Sequence, residues 1–278
     1  MRVTASGSSV VVGGARAACR QVSRVGVLLL ATAAGAGEVA GHSAGNILER
    51  AEAIRNPDGA YGFDMTITTS YPGRADTVSS FFIYTNGRQQ TLAYQSAPEN
   101  FAGRRMLMRE REAWLYLPGA REPLHIFLQN VVTGEVASGD IARTDLSRQY
   151  TASLLREEVL DGTPCYLLEL NARIPGTTYS RILYWVSRKS RRPLKAEYYS
   201  VSGRRMKTGW FKEYRQSLGD LRPTRLVLED AGDSGYRSVM EFRHFRRIQL
   251  PDSLFAPEAL AGIVRPPEKS GPAVELNH

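Results

Sequence analysis

The sequence predicts a mainly β chain with a few helices, an α+β protein built on a single antiparallel sheet. Three observations carry this expectation. From Tyr61 onward, apolar residues recur with a period of two in one run after another. The runs are joined by short turns rich in Gly, Pro and Asn, not by helix-length crossovers, which implies antiparallel pairing. No linker or shift in composition divides the 278 residues, so about ten strands or more share one sheet, and a sheet of that size curls or closes.

The N-terminus stands apart. Arg16, Arg20 and Arg24 precede the apolar run "VGVLLLATAAGAG", and Ala34-Gly35-Ala36 forms an A-x-A site, with His42-Ser43-Ala44 as a later option. This is the grammar of a secretory signal peptide over residues 1–36, with cleavage as late as residue 44. An uncleaved anchor is the competing reading, but the run falls short of the roughly 20 apolar residues that a spanning helix needs. Arg2 and those three arginines all precede the first acid, Glu38. The formal charge of +8 therefore falls to +4 for residues 37–278, a mildly basic balance that bears on solubility more than on partners.

Ile47, Leu48, Ala51 and Ile54 share one face of a helix that Asn56-Pro57-Asp58-Gly59 ends. "YGFDMTITTSY" then alternates, with Phe63, Met65 and Ile67 on one side. "TVSSFFIYTNGRQQTLAYQS" is a hairpin around Asn86-Gly87, and "GRRMLMREREAWLYLPG" is a second pair around a charged turn. Residues 124–160 show no sustained alternation and read as short helical pieces and loops, with a helix near Thr144–Arg148. Six further strand patterns follow from "TPCYLLELNAR" to "GYRSVMEFRHFRRI". "DSLFAPEAL" closes the ordered part, and the proline-rich polar segment 261–278 predicts a disordered tail.

Chemistry-bearing motifs are sparse. The histidines, including His125 and His244, lack metal-ligand spacing, and the nucleophile-elbow, zincin and phosphate-loop signatures are missing, so neither an enzyme nor a cofactor is expected. Cys19 precedes the apolar run and cannot be a lipoprotein cysteine. Cys165 lies in the strand pattern "TPCYLLEL", where a buried inert thiol is expected. Asp140 and Asp145 in "SGDIARTD" could serve a hydrolase, but helix capping and turn formation fit them better. The stretch Leu183–Arg215 mixes aromatics with arginines, as single-strand nucleic-acid surfaces do. Its cations, however, fall at turns and on the outer alternation, so no nucleic-acid partner is expected.

The ordered set "RRMLMREREAWLYLPG", "SGDIARTDL", "DGTPCYLLEL", "YWVSRKSRRPLKAEYYSVSGRRMK" and "FRHFRRIQLPDSLFAPEAL" resembles the outer-membrane lipoprotein-sorting proteins of the LolA/LolB-like group, over roughly residues 45–260. The resemblance implies a strongly curved antiparallel sheet, an unclosed half-barrel covered on its concave face by helices. It implies a monomeric periplasmic carrier of lipid or lipoprotein acyl chains, with an inner-membrane transporter as a candidate partner. An accessory binding subunit of an envelope transporter is the alternative. The residues expected on the lipid-binding face are Phe82, Tyr84, Leu92, Met106, Met108, Trp114, Tyr116, Tyr166, Leu168, Leu183 and Trp185. Flexible methionines suit an adaptable cavity.

Overall fold

The computed structural model describes residues 43–263 and Pro266, except Arg88, Glu110, Asp233 and Ser234. The expected signal peptide and most of the expected tail lie outside the described residues. The chain opens with α1 (Ala44–Arg55) and runs through β1 (Ala60–Ser70), β2 (Thr77–Asn86), β3 (Gln90–Ala97), β4 (Arg105–Arg109), β5 (Glu112–Tyr116) and β6 (Leu124–Ile126). A small ribbon, β7 (Val131–Thr133) and β8 (Val136–Ala137), leads to α2 (Ser138–Ile141) and α3 (Leu146–Gln149). The second half comprises β9 (Tyr150–Leu160), β10 (Thr163–Ala172), β11 (Arg181–Ser187), β12 (Pro193–Tyr199), β13 (Arg205–Ser217), β14 (Asp220–Asp230) and β15 (Arg237–Arg247). Two 3-10 turns at Asp252–Phe255 and Pro257–Gly262 follow.

Thirteen strands form one antiparallel sheet in the order β6-β5-β4-β3-β2-β1-β15-β14-β13-β12-β11-β10-β9. The sheet is a meander cut open once: β1 and β15 pair in the middle, and β6 and β9 are the two unjoined edges. It is therefore an unclosed half-barrel. Its inner face, from Ala113 on β5 to Tyr166 and Leu168 on β10, shares one apolar core with Ile47, Leu48 and Ala51 of α1. Burial of each such Leu or Ile stabilises by about 1.5–3 kcal/mol. The helix begins where the sequence permits: Ser43 caps it, its hydroxyl accepting from the Asn46 N–H at 3.2 Å. At the other end Arg222 of β14 donates to the carbonyls of Ala53 and Ile54, 2.8 Å each, satisfying acceptors that the helix leaves open.

The middle of the chain departs from expectation. Residues 124–160 were expected as helical pieces and loops, and α2 and α3 are such pieces, but β6, the β7–β8 ribbon and β9 are strands. β9 escapes a pattern search because it is an edge with solvent on both faces: Leu154, Leu155 and Val159 are all exposed. Without a buried face, no alternation of hydrophobicity is imposed. At the C-terminus Leu254, Phe255, Leu260 and Ile263 cover the outer face of β2–β5. The packed chain thus extends past residue 260 to Ile263, which is 1% exposed.

Candidate lipid cavity and its cover

The inner face of the sheet is covered by α1 and by residues 138–149. Their junction is polar and buried. Glu52, whose side chain is fully buried, receives Arg55 at 2.7 Å and the Leu146 N–H at 3.0 Å, both on Oε2. Arg55 also donates to the Thr144 carbonyl, tying α1 to the α2–α3 link. Burial works against the Arg55 charge, but the Glu52 carboxylate outweighs it and raises the guanidinium pKa above its ordinary value. Arg143, buried and in the left-handed region at φ 51°, donates Nε to Asn56 Oδ1 at 2.9 Å and a further N–H to the Arg55 carbonyl. Its guanidinium carbon lies 5.2 Å from the Phe63 ring centre and 4.9 Å from that of Phe242, on the inner face.

A second buried knot fixes the start of α2. Asp140 accepts from the Ala137 N–H at 2.8 Å, from Lys207 at 2.7 Å and from the Tyr179 hydroxyl at 2.8 Å. Burial and the neighbouring carboxylate push the Tyr179 phenol well up, so it remains a neutral donor. Asp145 caps α3, accepting from the N–H groups of Ser147 (2.9 Å) and Arg148 (3.3 Å). Both acids thus perform the capping work that their setting suggested. His125 sits edge-on to Trp114 at 5.6 Å between ring centres, and His244 bonds Asp64 at 2.7 Å. Cys165 is buried, and burial raises its thiol pKa.

A space of about 40 Å³ lies between Arg55, Gly139, Asp140, Tyr198, Phe211 and Leu226, enough for water but not for an acyl chain. Larger hollows open at the rim. One of about 390 Å³ lies between the β2–β3 and β4–β5 turns, residues 142–149 and the segment after β10.

The expected lipid-binding residues divide among three places. Met106, Met108, Tyr166 and Leu168 line the inner core. Phe82, Tyr84, Leu92, Trp114 and Tyr116 face outward, in or against the cluster that the C-terminal turns cover. Leu183 and Trp185 belong to a small outer cluster with Cys165 and Leu167. On β11 the inward residues are Ile182, Tyr184 and Val186, one position out of step with the expectation. The strand is apolar on both faces, so parity alone does not say which is inside. The polar groups that hold the cover, Glu52, Arg143 and the half-buried Arg55 within it and Lys207 and Arg222 on the sheet, escaped the sequence reading. A trace exists for Glu52, which stands four residues after Leu48 on the apolar face and three before Arg55.

An open sheet of this order, with a helix laid into its concave side, defines a half-barrel of the lipoprotein-sorting type. The chain resembles the crystal structure of a LolA superfamily protein, NE2245 from Nitrosomonas europaea, with 35% identity over 78% of this chain and 99% of that one and a TM-score of 0.75. This chain belongs to the LolA superfamily. The fold recurs in a DUF1329 family protein from Desulfovibrio piger, with 22% identity over 78% of this chain and 97% of that one and a TM-score of 0.69. It recurs also in a Vibrio parahaemolyticus domain assigned to outer membrane lipoprotein sorting, with 19% identity, coverage of 78% and 98%, and a TM-score of 0.67. A family model described only as that of an uncharacterized protein matches residues 87–262. Among curated proteins, nothing matches.

Proposed function

We propose that this chain is a non-enzymatic periplasmic carrier of lipid or lipoprotein acyl chains, seen here in its closed form. The observation that carries this reading is the pairing of an apolar inner face with a cover whose junction is polar. An apolar hollow held open in water collapses. Here α1 fills it with Ile47, Leu48 and Ala51 until cargo replaces them. Exchange of one apolar occupant for another keeps the inner face dry, and each methylene of the incoming chain gains about 0.8 kcal/mol by leaving water. When the cover lifts, water can solvate the groups that Glu52, Arg55, Asn56 and Arg143 now satisfy among themselves. Of the residues expected to touch lipid, Met106, Met108, Tyr166 and Leu168 suit this role by position.

The test is native mass spectrometry of protein recovered from its own periplasm, together with uptake of a fluorescent fatty acid. Bound lipid, and faster uptake after Glu52→Gln loosens the cover, are the expected results. Protein that is always empty, and that never takes up the probe in either form, rules the carrier out. The narrow space between Arg55, Tyr198, Phe211 and Leu226, about 40 Å³, favours a second reading, a non-enzymatic binding subunit of an envelope transporter. Recovery of an inner-membrane permease with lipid-free protein decides for that one.

A further inference from the structure

The rim cleft of about 390 Å³ has a composition that an acyl-chain port alone does not need. Its apolar members are Met108, Ala142 and Ile174. Met108 belongs to the inner core, and Ala142 packs against that core. Thr91, which closes this side, donates its hydroxyl to the Ala142 carbonyl at 2.9 Å. Three arginines on three separate segments, Arg111, Arg148 and Arg173, line the same cleft. The carboxylate in the lining, Asp145, is committed to capping α3 and lies 3.6 Å from Arg148.

Arg111 and Arg173 have no carboxylate partner among the described residues. Arg173 uses Nε on the Tyr150 carbonyl at 3.0 Å, which fixes the head of the side chain and leaves its other N–H groups to the cleft. Two cations of the interior face carboxylates, in Arg55–Glu52 and Lys207–Asp140, whereas Arg111 and Arg173 lie at the rim, both exposed. Three arginines lining one cleft with Met108, Ala142 and Ile174 match an oxyanion carried on a hydrocarbon chain, because the planar fork binds two oxygens of a phosphate or carboxylate at once.

We propose that this cleft receives the anionic headgroup of an amphiphile whose chain enters between Met108 and Ala142, so that the cargo is a phosphate-bearing lipid and not a neutral one. The inference rests on the carrier reading and names its cargo class.

The experiment compares dioctanoylglycerol, dioctanoyl phosphatidate and inorganic phosphate, which separates chain, headgroup and free anion. Binding to the full mature chain is followed by calorimetry below the lipid aggregation limit. Phosphatidate is expected to bind at least about tenfold more tightly than dioctanoylglycerol. Arg111→Gln with Arg173→Gln removes that preference, since charge-assisted bonds to phosphate are the strong ones. The neutral lipid binds this variant as before, and its melting temperature falls by no more than about 2–4 °C, the loss of the Arg173–Tyr150 hydrogen bond, because both side chains are otherwise exposed. A control, Lys189→Gln with Arg204→Gln, removes the same charge from distant exposed turns and keeps the preference.

Equal binding of the two lipids by the unaltered protein overturns the inference and leaves the carrier reading standing. So does an equal loss in the control, which marks general attraction to a basic surface. Phosphate binding without lipid binding shows a free-anion site and overturns it as well. If neither lipid binds and fluorescent fatty acid is also refused, the carrier reading falls first and takes this inference with it.

Discussion

The half-barrel wears two covers, and they are attached in different ways. The outer one, residues 252–263, lies on β2–β5 through Leu254, Phe255, Leu260 and Ile263, all 1% exposed or less. Its hydrogen bond from Asn86 to Asp252, 2.6 Å, lies at the exposed margin. The inner cover, α1 with residues 138–149, also buries apolar groups but is fastened by Glu52, Arg55, Asn56, Arg143 and Arg222. Apolar burial stabilises in proportion to area and has no polar groups to hand back to water. A buried ion pair contributes little net stability, since desolvation offsets attraction, yet it fixes one geometry. The outer cover is therefore held by apolar area, while the inner one has a polar junction that fixes a single geometry, the geometry to which it returns under the proposed carrier function.

The sharpest break of this comparison is Phe255→Ala. Loss of a fully buried ring is expected to cost about 3–5 kcal/mol, read as a lower denaturation midpoint, with lipid uptake by the folded fraction unaltered. A cost below about 1 kcal/mol would mean that the outer cover is not structural. Next comes Glu52→Gln. It leaves the Arg55 charge without its carboxylate and is expected to cost about 2–3 kcal/mol, below the range for a fully buried pair, since Arg55 keeps 14% of its side chain in solvent. Protection from amide exchange should fall in α1 and residues 138–149 first. Loss spread evenly over the sheet would contradict a separable cover.

Gly139→Ala ranks third. An added Cβ would stand 1.9 Å from Thr178 Oγ1, so α2 must shift, at about 1–3 kcal/mol. In a Thr178→Ala background part of that cost should be recovered, and additivity of the two changes would refute the clash.

The smallest effect concerns a group remote from both covers. Burial opposes ionisation of Glu197, but hydrogen bonds from Lys195 at 2.7 Å and Tyr199 at 2.9 Å outweigh it and hold its carboxyl below the usual 4.5. A carboxyl depressed in the folded state stabilises above pH 4.5, and the gain is lost as pH falls through the folded value. Glu197→Gln should flatten that part of the acid-denaturation curve and leave neutral pH and lipid uptake almost untouched. An unchanged acid limb assigns the effect to other carboxylates.

Much of the architecture was legible because strands with one wet face must alternate. β1, the β2–β3 hairpin at Asn86-Gly87 and β4–β5 were all readable on that ground. Legibility failed where the constraint lapsed. β9 has both faces in solvent, and β11 has both faces apolar, so the first was not seen and the inward side of the second was displaced by one residue. The candidate site was less visible still. A charged residue in a sequence defaults to the surface, and neither Arg143 nor Lys207 carries a local mark of being buried.

By itself the sequence determined the antiparallel pairing, the helix before it and the capping roles of Asp140 and Asp145, because these follow from local periodicity and from side chains that bond their own neighbours. Tertiary structure alone decided which face of each strand turned inward, that Glu52 would meet Leu146 across 94 residues, and that three arginines from separate segments would rim one cleft. Those outcomes depend on groups distant in the chain meeting in space, and pairwise distances of that kind leave no periodic trace.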